Sequence, residues 1–159
     1  MKKIVLLDEL MRIRSEMQKN HLKLVWTNGC YDILHAGHVT YLQRARAAGD
    51  TLVVGLNSDT SIKKVKGPGR PIIPQDQRAV VLAALECVNY IIIFTEPSPV
   101  KIIAELRPDI YAKGGDYTVD TVNQPERRLV ESYGGRILLI PGVDGMSTTE
   151  IIRRIQGEK

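Results

Sequence analysis

Cysteine, tryptophan and phenylalanine are scarce in this chain, and each scarcity removes a class of protein. The two cysteines, Cys30 and Cys87, stand far apart and form no CxxC pair. Neither a disulfide framework nor a cysteine zinc site is indicated, and a reducing cytoplasm is the expected location. One Trp, one Phe and no long basic run leave out the stacking platforms and cationic stripe of a nucleic-acid binder. No apolar run is long enough to span a bilayer. The opening Met1–Leu7 imitates the start of an export signal, but Asp8 and Glu9 cut its apolar run short. Neither nucleic acid nor membrane is therefore expected as a partner.

What remains is ordinary for a globular domain: 159 residues, 43% hydrophobic and 25% charged, enough to bury a core. No repeat, low-complexity tract or linker divides the chain, so a single domain over residues 1–159 is expected, with a helical segment 1–22 ahead of a core at 23–156. The net charge of +4 favours an anionic partner, and with nucleic acid set aside, phosphorylated small molecules fit best.

Apolar residues at Leu7, Leu10, Met11, Ile13 and Met17 recur with helical spacing and predict an amphipathic helix over Leu7–Lys19. Short apolar runs follow at Lys23–Thr27, Thr51–Leu56, Tyr90–Phe94, Asp109–Ala112 and Arg136–Ile140. Helix-like stretches at Val39–Ala48, Gln75–Leu85, Pro99–Leu106 and Pro125–Tyr133 separate them. Continuously apolar strands alternating with helices predict an α/β fold, a doubly wound five-stranded parallel sheet with helices on both faces. Ligands in such a sheet sit beyond the carboxyl ends of the strands. Lys63–Pro74 reads as a basic, irregular loop able to close over a ligand, because Lys63, Lys64, Lys66 and Arg70 are interspersed with Gly67, Pro68, Gly69, Pro71 and Pro74.

The first strand runs into Gly29-Cys30-Tyr31-Asp32-Ile33-Leu34-His35-Ala36-Gly37-His38, with a helix expected to begin near His38. Two imidazoles and free backbone N–H groups converging on a helix N-terminus suit phosphate. A small residue at Gly37 permits close approach to the backbone. His35 and His38 are equally compatible with a pair that merely caps or packs. A zinc pair would need further ligands, for which only Cys30 and Asp32 are near, so no metal ligand is assigned. Near the C-terminus, Ser147-Thr148-Thr149-Glu150 reads as a capping box, and its hydroxyl-rich helix start is also a phosphate site.

The segment from Gly29 to His38, with its complete HxGH core, resembles the first signature of the cytidylyltransferase-like nucleotidyltransferases, a Rossmann-like fold. Met146–Arg153 resembles their second, Ser/Thr-rich signature. From about Leu24 to Ile155 the chain is most similar to the subgroup that adenylylates heptose 1-phosphate, often fused to a sugar kinase. That likeness extends to Leu56-Asn57-Ser58-Asp59, Lys66–Pro71, Gln77-Arg78, Leu82–Glu86, Arg107-Pro108-Asp109 and Lys113-Gly114-Gly115-Asp116-Tyr117. Glycerol-3-phosphate cytidylyltransferases carry an arginine shortly before the second signature, where this chain has Gly142-Val143-Asp144-Gly145.

The resemblance implies transfer of AMP from ATP to D-glycero-D-manno-heptose 1-phosphate, giving ADP-heptose and pyrophosphate for lipopolysaccharide core assembly. It implies Mg2+ on the phosphates and a homodimer. His35, His38 and Lys66 take the catalytic roles. The nucleotide falls to Asn28, Gly29, Cys30, Tyr31, Asp32, Gly37, Asp59, Lys64, Arg78, Lys113, Gly114, Asp116, Ser147, Thr148 and Thr149. For Lys113–Asp116 a plain chain-reversing turn, and for Lys64, Lys66 and Arg78 ordinary surface charge, are the alternatives from the residues alone. Rival functions are transfer to another phosphorylated alcohol such as glycerol 3-phosphate, or a nucleotide-binding module that no longer catalyses.

Overall fold

The computed structural model describes residues 2–143 and 145–157, so Asp144 of the segment before the second signature lies outside the described residues. The elements run α1 Leu7–Lys19, β1 Leu24–Gly29, α2 Ala36–Arg46, β2 Thr51–Asn57, α3 Asp59–Lys66, α4 Gln75–Ala83, β3 Tyr90–Phe94, α5 Val100–Leu106, β4 Ile110–Gly114, α6 Gln124–Ser132, β5 Arg136–Ile140 and α7 Thr148–Ile155. The five strands form one sheet in the order β3-β2-β1-β4-β5, and every pairing is parallel. The chain winds outward from β1 through β2 to β3, then returns to the other side for β4 and β5. That reversal opens a crevice beyond the carboxyl ends of β1 and β4, the place such sheets bind ligands.

Successive strand side chains divide between the two faces, as the two-residue period of a strand requires. Val25, Leu52, Val54, Leu56, Ile91, Ile110 and Ala112 pack with Leu42 and Ala45 of α2 and with Ala79 and Leu82 of α4. Leu24, Trp26, Val53, Ile92 and Tyr111 pack on the other face with Leu10 and Met17 of α1, Ile103 and Leu106 of α5, and Val130 of α6. Two-sided burial is why the strands read as continuous apolar runs. Arg14, 5% exposed, fastens α1 to this layer: its guanidinium donates to the carbonyls of Leu106 and Arg107 and to the Asp109 carboxylate. Asp109 also accepts from Leu24 N, so one ion pair aligns α1, the end of α5 and the starts of β1 and β4.

Most boundaries shift by one or two residues from the sequence expectations, and three of the differences shape the site. Residues 63–66 are not loop; they are the last turn of α3, a helix started by Ser58, whose Oγ accepts from Ser61 N, and anchored by buried Ile62. The irregular segment shrinks to residues 67–74, beginning at Gly67 with φ +92°. Helix α2 starts at Ala36 rather than Val39, because His35 is already the N-cap. Strand β1 continues two residues further, to Gly29, held in register by Asn28 and Gly29 against Gly55 and Leu56 of β2. No described helix is long and apolar enough to cross a membrane.

Candidate active site

Strand β1 delivers the chain to a sharp bend at Tyr31, φ +46°, after which His35 opens α2 in an extended conformation. The backbone N–H of His38 donates to the His35 carbonyl at 2.9 Å, which folds the two imidazoles onto one another with ring centroids 3.9 Å apart. Tyr31 flanks His38 at 5.3 Å. The His35 side chain makes no capping bond, so of the bland alternatives only packing describes the pair. Gly37 makes this stacking feasible: a Cβ there would lie 3.0 Å from the His35 ring and 3.3 Å from Met146 Cβ. Its smallness serves the histidine and the second signature, and not only an incoming ligand.

Both Nδ1 atoms are buried with no hydrogen-bond partner among the described residues. Burial, then the neighbouring His35 and Lys66, pushes the His38 imidazole down to about 4, and burial pushes His35 down as well. At neutral pH the pair is uncharged, with unfilled hydrogen-bonding positions. The buried Nδ1 atoms carry the cost of polar groups without partners, and the rest of each ring lines the cleft.

These rings line a cleft of about 360 Å³ beyond β1 and β4. Asn28, Gly29, Cys30 and Tyr31 line it from β1 and the bend, Lys66 from the end of α3, Lys113 and Gly114 from β4, and Ser147, Thr148 and Thr149 from α7. The two signatures, more than a hundred residues apart, thus face one space. Thr148 Oγ1 donates to Ile33 O at 3.3 Å and ties them directly. Ser147 caps α7 by accepting from Glu150 N at 3.0 Å, but the reciprocal arm of a capping box is not made. Glu150 pairs instead with Arg153 and Arg154. Lys113 is largely buried; its Nζ lies 3.4 Å from Asn28 O, and burial lowers its pKa, although Glu126 and Cys30 oppose the shift. A second cleft of about 460 Å³ opens into the first, sharing residues 28–31, His38, Lys66, Lys113, Tyr117 and Thr148 with it, and adds Asp32, Asn57, Arg70, Asn123 and Glu126.

Five residues expected at the nucleotide do not line the first cleft. Arg78, 1% exposed, does not line either cleft: it donates to the carbonyls of Ile73, Cys30 and Asn57 and pairs with Asp59 at 2.8 Å. Its planar fork is used to brace the segment after β1 against α3 and α4, and Asp59 is engaged in the same brace. Asp32 lines the second cleft, but both its oxygens are taken by Arg70 Nε and the N–H groups of Ile72 and Ile73. Burial pushes its pKa up, and these donors outweigh burial to leave it lowered. Lys64 is exposed on α3, where its place in the helical turn directs it away from Lys66. Asp116 is exposed at the rim, beside Gly142.

A sequence profile described as cytidylyltransferase-like matches residues 26–154, a span that contains both signatures. The chain belongs to the cytidylyltransferase-like family. It is 54% identical over 153 residues to the bifunctional protein HldE of Syntrophotalea carbinolica, covering 96% of this chain and 31% of that protein. It is 52% identical over 153 residues to the HldE of Geobacter sulfurreducens, again covering 96% of this chain and 31% of the relative. The chain therefore spans about a third of the length of these relatives. Among solved structures, the lipopolysaccharide core biosynthesis protein from Thermoplasma volcanium superposes with a TM-score of 0.62 at 27% identity, over 77% of this chain and 97% of that one. Pantoate-beta-alanine ligase from Francisella tularensis, at 14% identity and a TM-score of 0.65 over 98% of this chain and 77% of that one, shares the fold.

Three further residues, to which the sequence assigns no role, line or support the clefts of this cytidylyltransferase-like chain. Tyr41 of α2 spans the crevice floor, its hydroxyl bonded to Thr27 Oγ1 and donating to Ala112 O. Its ring fills the space over Gly114, where a Cβ would collide with it. Tyr117 lines both clefts. Buried Glu126 accepts from Tyr111 and Ser98 at the end of the second cleft. A tyrosine five residues into a helix carries no sequence signal of this kind; the glycine it packs on was the visible half of the contact.

Proposed function

We propose that the chain is an adenylyltransferase that moves AMP from ATP to heptose 1-phosphate, giving ADP-heptose and pyrophosphate. The observation that carries this reading is the meeting of the paired, unsatisfied imidazoles of α2 with the hydroxyl-lined start of α7 across one cleft, with a second polar cleft alongside. The likeness to HldE proteins and to a lipopolysaccharide core biosynthesis protein supports the sugar acceptor and a role in lipopolysaccharide core assembly.

ATP takes the first cleft. Its triphosphate lies between His35 and His38 on one side and Ser147, Thr148 and Thr149 on the other, where N–H and O–H donors at two helix starts neutralise phosphate oxygens. The acceptor phosphate, already ionised at neutral pH, attacks the α-phosphorus in line and pyrophosphate leaves. No general base is required. The rate comes from holding nucleophile and phosphorus in register and from donors placed where charge develops. Negative charge arriving beside His35 and His38 reverses the burial penalty on their protonated forms, so nucleotide binding draws a proton onto the pair. Lys66 and Lys113, common to both clefts, bridge the reacting phosphates. The cleft offers nitrogen and hydroxyl donors, with no group of three His, Cys, Asp or Glu among the described residues suited to a metal. Mg2+ would therefore enter with the nucleotide and not be held by the protein, and would supply charge neutralisation on the phosphates. A homodimer in the cytoplasm completes the proposal.

The test is pyrophosphate release with Mg2+, offering ATP or CTP against heptose 1-phosphate and glycerol 3-phosphate. Release confined to ATP with heptose 1-phosphate is expected. Release with CTP and glycerol 3-phosphate would keep the site and overturn the substrates, and tight ATP binding without release from any acceptor would indicate a binding module.

A further inference from the structure

Lys66 and Lys113 line both clefts, whereas Arg70 lines the second alone. Only the Nε of Arg70 is engaged, donating to Asp32 Oδ2 at 2.6 Å; no described residue accepts from its terminal nitrogens. Asp32 is 2% exposed and is itself fixed by the backbone N–H groups of Ile72 and Ile73. A buried carboxylate bonded through Nε holds a guanidinium by one side and turns its outer edge outward. That edge carries paired N–H donors whose geometry matches phosphate. Arg70 stands on the part of the second cleft that the first does not share, apart from the Ser147–Thr149 side of the first, where the second anion of the reaction is its obvious ligand.

We propose that Arg70, presented by Asp32, binds the phosphate of the acceptor and not those of the nucleotide. The inference rests on the reading that ATP occupies the first cleft, but not on which sugar or alcohol carries the acceptor phosphate. Asp32 is then a positioning residue. It stands in the segment between β1 and α2 that leads directly to His35 and His38, so one stretch of chain sets the distance between the triphosphate and the attacking phosphate.

The test compares wild type with Arg70→Gln and Arg70→Lys, measuring KM for ATP and for whichever phosphorylated acceptor the wild type uses. Loss of a paired, charge-assisted contact is expected to raise the acceptor KM roughly 10- to 100-fold in Arg70→Gln. The ATP KM should stay within about twofold, with partial recovery in Arg70→Lys, which keeps the charge but not the fork. A parallel rise in both KM values, or an unchanged acceptor KM in a folded variant, would overturn the proposal. A readout free of variants and turnover is modification of wild-type arginines by phenylglyoxal, mapped by peptide mass. Inorganic phosphate should protect Arg70 and ATP alone should not; protection by ATP alone would also overturn it. Should heptose 1-phosphate fail as substrate while glycerol 3-phosphate succeeds, the substrate reading falls and the Arg70 measurement proceeds with the acceptor that works.

Discussion

Replacing Arg78 by lysine separates bracing from ligand binding. In the wild type the guanidinium satisfies three carbonyls, of Ile73, Cys30 and Asn57, and the Asp59 carboxylate, at a position 1% exposed. A lysine ammonium keeps the charge but reaches from a single point, so at least two of these four acceptors lose their donor. Each buried acceptor left unsatisfied costs about 1–3 kcal/mol, which puts the loss near 3 kcal/mol. At about 2–4 °C per kcal/mol for a chain of this size, the melting temperature should fall roughly 6–12 °C, while a stability of about 5–15 kcal/mol leaves the protein folded at 25 °C. Differential scanning calorimetry and ATP titration on the same samples provide the assay. The KM for ATP should change far less than the melting temperature implies. A melting temperature within about 2 °C of wild type together with a tenfold weaker ATP affinity would refute the reasoning and return Arg78 to the nucleotide.

His38→Ala should lower kcat roughly 10²- to 10³-fold with little loss of fold, as removal of one oxyanion-type donor does; steady-state pyrophosphate release checks it. The pKa of His38 is about 4 in the folded protein against an ordinary 6.5, so the unfolded chain binds the extra proton between those values. The stability it contributes is fully present above about pH 6.5 and lost as pH falls toward 4. Discounted for partial exposure, the loss is on the order of 1–2 kcal/mol; urea midpoints at pH 7.5 and 5 should show it, and His38→Asn should flatten it. Gly114→Ala should cost about 1–3 kcal/mol by driving Tyr41 from Thr27 and Ala112, seen as a lower melting temperature. Ser147→Ala removes the cap of α7 at about 1 kcal/mol and should raise the ATP KM several-fold, whereas Glu150→Ala should leave it unchanged.

The elements written by periodicity were legible in the sequence: α1, β3 and β5 coincide with their expected spans because two-sided strands and amphipathic helices announce themselves. The α3 helix was hidden by its own composition. Lysines and the glycines and prolines just beyond it resemble a loop, and only the Ser58 cap and the single buried turn at Ser61 and Ile62 betray a helix. Both histidines, Lys66, Lys113 and the Ser147–Thr149 triplet were found at the cleft because the motif spacing is itself the geometry. Asp32, Asp59 and Arg78 stand in equally suggestive segments, yet each is committed to a partner distant in sequence. Sequence spacing says which residues share a turn; it does not say which of them already have a hydrogen-bonding partner. Arg70 was seen only as part of a basic segment able to close over a ligand, and Tyr41 was missed, for the converse reason: what each does depends on what tertiary folding brings opposite it.

The way Asp32 grips Ile72 and Ile73 divides the short segment before α4 into two parts with different tolerance for engineering. Gly69 sits where an added Cβ meets nothing within 4 Å, whereas Gly67, with φ +92°, needs glycine although the space around it is open, both only a few residues from a backbone stretch held by paired hydrogen bonds. A cysteine at position 69, carrying an environment-sensitive dye, would therefore sit next to Arg70 without meeting a neighbouring atom at its Cβ. An insertion after Gly69 would open the turn in which Arg70 N donates to Gly67 O, while the same insertion after Pro71 would pull the anchored pair out of step with the segment that leads to the histidines.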